Sequence, residues 1–379
     1  MLILAIDNFF QKKPDEATKA KMNIFKQYFA LYLNIIDNVR KRKNLNKRIV
    51  YIDLFCGPGK FDYENTECNS TPLEVLEYIA EKKFSNIECV FNDLNKDQIE
   101  CLKTNIINKD FDFSKTVNIS YLNMDARKVS FADLYNSNDI VLSLIDSFSY
   151  LCLNCNTIDE LISNYYSDLI CYFRIANIFK NIGNENEKNN HVKLFGNVAN
   201  YDKAVEIIKN NDLEQLDKVK MVVKIWIDFL NTSSINKHFL PIFIRYSKED
   251  SKIESVVFIV SKSLKGLNSI KSQLKFCDIN DGLFYFYEGD FANRLFDINE
   301  NYIKSYIPKD KFINSNALIE IIEESFVKKY GFLSAYSNQY IKRNLKQLEI
   351  DKVIIVKSKR KRGPNSRCFG KNATFKLKE

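Results

Sequence analysis

Residues 51–59, YIDLFCGPG, end an apolar run in Asp53 and then turn through Gly57 and Gly59 on either side of Pro58. Glycine turns that follow a strand bring backbone amides close to a ligand, and the surrounding residues decide which ligand. A phosphate-binding P-loop needs Lys and then Ser or Thr after its last glycine, but Lys60 and Phe61 follow Gly59 here. ATP hydrolysis is therefore not expected. The dinucleotide fingerprint needs a third glycine, and position 62 is Asp. The turn on its own fits many tight loops.

Its meaning comes from acids that recur at the ends of apolar runs. Asp53 closes RIVYID, Asp93 closes NIECVFND, Asp125 closes VNISYLNMD and Asp146 closes DIVLSLID. In an open parallel sheet, ligands sit beyond the carboxyl ends of the strands. An acid at the end of the second strand can bond both ribose hydroxyls and rejects a phosphate there. One after the third can accept from an adenine amino group, and one beside the glycine turn can face an ammonium. A ligand with ribose, adenine, ammonium and sulfonium but no phosphate satisfies all of these, which points to S-adenosylmethionine. Its expected seat is Asp53, Phe55, Gly57, Gly59, Asp93 and Asp125. LIDSFSY resembles the Asp-Pro-Pro-Tyr loop of amino-methylating DNA enzymes, a resemblance that implies Asp146 as the acid drawing on an acceptor amine and Tyr150 as the ring stacking on a flipped base. No Pro is followed by Cys, which excludes a cytosine-5 mechanism.

The elements that position these residues read as an α/β chain. ATKAKMNIFKQYFALYLNIIDNVRKR places Met22, Phe25, Phe29, Leu33 and Ile36 at helical spacing. Strand-like and helix-like runs then alternate through residue 175, predicting a mainly parallel sheet. FLPIFIRYS and ESVVFIVSK are too close for a crossover helix and predict an antiparallel hairpin. The expected organisation is an N-terminal helical segment to 47 and a Rossmann-like methyltransferase domain over 48–280 with a helical insertion at about 180–238. A connector over 281–310 follows, and then a winged-helix-like domain over 311–379. In the last of these, a helix ending at Gly331 and a second one capped by Ser337 precede a basic hairpin.

The chain resembles the three-Cys-motif partner proteins, a bacterial group with methyltransferase-like sequences, over residues 17–265. YIDLFCGPG stands against that family's YIDLFAGPG, Ser70–Leu73 against GSPL, and Leu144–Tyr150 against FIDPFGY; a hairpin ending VSKSLKG is also shared. The resemblance implies a Rossmann-like sheet, an activity dependent on S-adenosylmethionine, and Asp53, Gly57 and Gly59 at the cofactor. The family's name implies a protein partner. Cys56 replaces a small Ala, and Ser147 and Ser149 replace Pro and Gly in the fourth-strand motif, which removes a rigidly preset carbonyl.

Charge localises the expected macromolecular partner. Asp351–Glu379 holds ten Lys or Arg and two acids, so the whole net charge of +8 lies there. Such a segment, with Lys359, Arg360, Lys361, Arg362 and Arg367 at its centre, is the footprint of a nucleic acid, DNA first. The nine cysteines follow no framework spacing and read as reduced thiols in a cytoplasm. Cys152 and Cys155 have no second pair or histidine beside them, so no metal site is expected, and no run of about 18 apolar residues predicts a membrane span. Two functions stay open. One is methyl transfer to a base amino group, delivered by the basic domain. The other is a methyltransferase fold that has lost its chemistry and serves as a DNA-binding or partner subunit of a larger, possibly defence-related, bacterial assembly.

Overall fold

The computed structural model describes residues 9–63, 66–147, 152–245, 252–271, 300–333, 338–357 and 373–378. Tyr150, Ser337, Lys359, Arg360, Lys361, Arg362 and Arg367 lie outside the described residues.

Helix α1, Glu16–Lys43, starts at Asp15, whose carboxylate accepts from the Thr18 amide at 2.7 Å. It ends at Asn44 in the left-handed region, with four basic residues in its last turn facing the negative end of the helix dipole. Its apolar row (Phe25, Phe29, Leu33, Ile36) is buried. Two tyrosines bolt it to the sheet: the Tyr28 hydroxyl donates to Asp168 at 2.6 Å, and the Tyr32 hydroxyl donates to the Tyr166 carbonyl at 2.5 Å.

Strand β1, Ile49–Asp53, leads into the glycine turn. A short hairpin follows, β2 at Lys60–Tyr63 and β3 at Thr66–Asn69, which the sequence pattern did not predict. Next come α2 (Thr71–Glu81, with Pro72 in its first turn), β4 (Ile87–Asn92), α3 (Lys96–Lys109), β5 (Val117–Leu122), β6 (Ile140–Ile145), α4 (Cys155–Ile162) and β7 (Asp168–Phe173). Four helices follow before the next strand: α5 (Ile175–Asn181), α6 (Glu185–Phe195), α7 (Val198–Lys209) and α8 (Gln215–Leu230). Trp226 of α8 stacks on Phe173 of β7 at 4.5 Å, holding this helix to the sheet.

Strands β8 (His238–Arg245) and β9 (Ile253–Ser261) form the expected antiparallel hairpin. The seven-stranded sheet runs β5-β4-β1-β6-β7-β9-β8, with β5, β4, β1, β6 and β7 parallel and β9 antiparallel to β7. Strands β1, β6 and β7 are buried along their whole length, as parallel strands covered on both faces must be. This is the Rossmann-like methyltransferase sheet. The strand order reverses at β1, which has β4 and β5 on one side and β6 and β7 on the other, so a crevice opens beyond the carboxyl ends of β1 and β6.

Helix α9 (Leu264–Lys271) follows. In the segment read as a connector, α10 (Glu300–Ser305) forms a further helix because Ile303 is buried against the core. The C-terminal part holds β10 (Ile313–Asn314), α11 (Ser315–Tyr330), α12 (Asn338–Ile350), β11 (Ile354–Lys357) and β12 (Thr374–Leu377), with strand order β10-β12-β11. Gly331 ends α11 at φ +81°, as its position suggested. The Leu333 amide donates to the Phe239 carbonyl at 2.8 Å, and a buried ion pair joins Lys271 of α9 to Glu323 of α11. No described helix is long and apolar enough to cross a membrane.

Candidate functional site

The crevice is a cleft of about 370 Å³ in which Asp53, Asp93, Asp125 and Asp146 all form part of the wall. The sheet places them there: Asp53 is the last residue of β1, Asp93 follows β4, and Asp146 follows β6. Phe55 lines the cleft too.

Asp53 is 1% exposed. Its carboxylate accepts from the Phe55 amide at 3.1 Å and the Tyr51 hydroxyl at 3.4 Å. Burial pushes this carboxyl up to about 8, the Phe55 amide offsets part of that, and Asp146 and Asp93 push it further. At pH 7 it is therefore largely a neutral acid, ready to ionise if a cation arrives.

Asp93 ties the glycine turn down. One oxygen accepts from the Gly57 amide at 3.1 Å and the other from the Asn95 amide at 2.9 Å. Each carboxylate oxygen keeps a second lone pair, so the pair can still accept from two hydroxyls. Burial raises its pKa, with the backbone amides acting against that. Leu94 beside it is 68% exposed and forms an apolar rim.

Asp125 is engaged differently. Arg127 grips its carboxylate through Nε and NH2 at 2.5–3.1 Å and through its backbone amide at 3.0 Å. The Arg127 guanidinium holds this carboxyl down at about 2. Its acceptor positions are thus filled within the protein.

The glycine turn needs its glycines. Gly57 has φ +59°, and a Cβ there would lie 2.4 Å from the Phe10 ring; Gly59 has φ +84°, with Leu102 and Leu73 pressed against it. Phe10 and Phe9 pack on Phe61 of the β2–β3 hairpin, and the Phe10 carbonyl accepts from the Asp62 amide at 2.8 Å. The segment before α1 therefore roofs the turn.

Roles of several residues in the cleft wall or beneath it escaped the sequence reading. Asn92 is buried and donates to the Leu54 and Met124 carbonyls at 3.0 and 3.1 Å, lacing the glycine turn to the loop after β5. Ser70 lines the cleft with a buried hydroxyl that has no hydrogen-bond partner among the described residues. Lys21 of α1 reaches Asp146 at 3.5 Å. A lysine in the same helical row as Phe25 and Phe29 was the available signal. Among the described residues no cluster of His, Cys, Asp or Glu could hold a metal ion.

No family model and no curated protein matches this sequence. Solved structures share parts of the fold. A Legionella pneumophila protein is 9% identical, covering 68% of this chain and 90% of its own, with TM-score 0.39. Magnesium protoporphyrin IX methyltransferase from Synechocystis with bound SAH is 10% identical, covering 69% and 100%, with TM-score 0.31. A SAM-dependent methyltransferase from Methanosarcina mazei is 15% identical, covering 59% and 97%, with TM-score 0.29. These likenesses are partial; strand order defines the class, a Rossmann-like methyltransferase fold with its cleft at the β1/β6 crossover.

Proposed function

We propose that this protein binds S-adenosylmethionine in the β1/β6 cleft and transfers its methyl group to a base amino group of a nucleic acid. The observation that carries the proposal is the gathering of Asp53, Asp93 and Asp146 at that crossover beside a glycine turn built without a phosphate cradle. Carboxylates repel a phosphate and attract a cation, so the donor set fits a cationic, phosphate-free cofactor. The unpartnered Ser70 hydroxyl suits its polar part. When bound, the cofactor supplies an electrophilic methyl on a sulfonium.

The residues of the chain do the rest. Asp93 accepts from the ribose hydroxyls, and Asp53 faces the ammonium. Asp146 draws on the hydrogens of the acceptor amine, orienting the nitrogen lone pair and taking up the proton that the nitrogen loses. Tyr150 supplies the ring on which the flipped base stacks. Such a transfer depends chiefly on alignment and loss of solvent, so a histidine base is not required.

Asp53 makes the binding step sensitive to pH. Its carboxyl stands at about 8 in the free protein, and a neighbouring ammonium lowers it. Binding therefore releases a proton, so affinity for S-adenosylmethionine should rise with pH up to about 8, by no more than roughly tenfold per unit. Above that point the ligand's own amino group begins to lose its charge. Calorimetric titrations across this range should show the rise in the wild type and a flatter profile in Asp53→Asn. A wild-type affinity that falls across the same range would contradict this role for Asp53.

The C-terminal part is proposed to be a winged helix that holds the nucleic acid. Helices α11 and α12 followed by the β11–β12 pair support this, as does the basic run between those strands. If Lys359, Arg360, Lys361, Arg362 and Arg367 meet phosphates, affinity for duplex DNA should fall roughly five-hundredfold between about 50 and 200 mM salt for these five contacts. A flat salt response would remove this part of the proposal.

A second reading has its own observation: Asp146 already pairs with Lys21, and Ser147 stands where the resembling family has proline. A protein that binds cofactor and nucleic acid without transfer would favour it.

A further inference from the structure

Lys21 and Asp146 both line the cleft and pair there, and the chemistry of the pair is unusual for a structural ion pair. The Lys21 side chain is only 4% exposed, whereas that of Asp146 is 35% exposed. At 3.5 Å the contact is loose for a charge-assisted hydrogen bond, which normally closes to about 2.7–2.9 Å. The ammonium lies 5.1 Å from the centre of the Tyr172 ring, and the Tyr172 hydroxyl donates to the Lys21 carbonyl at 3.1 Å. Ring and backbone thus fix where the lysine stem leaves α1. An ammonium has three donors and no acceptor. Among the described residues its one ionic partner is Asp146, so donor capacity remains inside a walled cleft.

We propose that Lys21 and Asp146 together read one edge of the acceptor base: Asp146 accepts from an exocyclic amine while Lys21 donates to the unprotonated ring nitrogen next to it. This rests on the proposed transfer to a base amino group and narrows it to bases with that donor–acceptor pair, such as adenine or cytosine. A donor and an acceptor a few ångströms apart meet two adjacent atoms of a planar edge, as bidentate side chains do. An anionic acceptor would be repelled by Asp146, and a simple amine would leave the remaining donors of Lys21 without an acceptor in the cleft. Lys21 is on this account a specificity-determining residue, and Tyr172 and α1 position it.

The test measures binding of short single-stranded oligonucleotides to the full chain at fixed salt, where phosphate contacts are common to all probes and no base pair must open. The probes carry adenine or 1-deazaadenine, and cytosine or 3-deazacytosine, each analogue replacing the ring nitrogen by C–H. The wild type should bind the natural base at least roughly tenfold tighter than its analogue in one of the two pairs. Lys21→Met should bind both members equally, at the analogue's level, and Lys21→Arg should restore part of the preference. Equal binding in both pairs by the wild type would overturn the inference, as would an undiminished preference in Lys21→Met. S-adenosylmethionine titration of the same variants keeps the two claims apart. Loss of cofactor binding in the wild type defeats the enzyme proposal alone, while the base preference still decides this one.

Discussion

Asp146→Ala is expected to lower methyl transfer at least about a hundredfold while leaving S-adenosylmethionine affinity within about threefold of the wild type. Asp146 follows β6, whereas the proposed cofactor carboxylates Asp53 and Asp93 stand at the end of β1 and after β4. Removing it takes away the group that orients the amine and receives its proton, without touching the glycine turn. The substitution also leaves the Lys21 ammonium without its anion. Asp146→Asn controls for the loss of shape: it keeps the size and one acceptor oxygen, though neither the charge nor the capacity to take up a proton, and should lose a smaller part of the rate. Single-turnover transfer of labelled methyl to DNA and RNA separates the two variants. Full activity in Asp146→Ala would remove Asp146 from the mechanism and leave Lys21 with only a structural partner.

Lys271→Met should have the largest effect on stability. The Lys271 and Glu323 side chains are 3% and 2% exposed and bond across the junction of α9 and α11. Removing one charge takes the ionic partner of the other out of a low-dielectric interior, which typically costs about 3–5 kcal/mol. The expected drop in Tm is on the order of 10 °C. The double variant Lys271→Met/Glu323→Met should recover most of the loss, because two apolar chains of similar volume replace a matched pair. Thermal unfolding of the three variants gives the comparison, and a double variant no better than the single ones would show that the pair acts through its own charges. This junction, with the Leu333 bond to Phe239, fastens the C-terminal helices to the β8 edge of the sheet. Its loss should weaken nucleic-acid binding before cofactor binding.

The main sheet and the four carboxylates were legible because both are written locally. Apolar runs of strand length end in Asp53, Asp93, Asp125 and Asp146, and the parallel order then carries those ends to one edge. The close spacing of β8 and β9 was equally local, since no crossover helix fits between them. The β2–β3 hairpin was missed because its strands are only four residues long: KFDY alternates polar and aromatic residues too briefly to stand out, and TECN has no alternation at all. What fills the acceptors of Asp125 lies only two residues away in Arg127 and could have been seen in the Asp-Ala-Arg order. Lys21 could not be assigned from its own segment. Helical spacing shows a lysine in an apolar row, but what it faces comes from a strand end some 125 residues further on. Asn92 is similar: its amide is buried usefully only because the backbones of Leu54 and Met124 converge on it.

Cofactor binding is the claim on which the rest depends, and calorimetric titration of the purified full chain with S-adenosylmethionine tests it most directly. The account predicts a micromolar dissociation constant in the wild type. It also predicts at least about a hundredfold weaker binding in Asp93→Ala, which loses the charged acceptor for two hydroxyls. No binding by a wild-type protein whose circular dichroism shows an intact fold would contradict the account, and so would an Asp93→Ala variant that binds as tightly as the wild type.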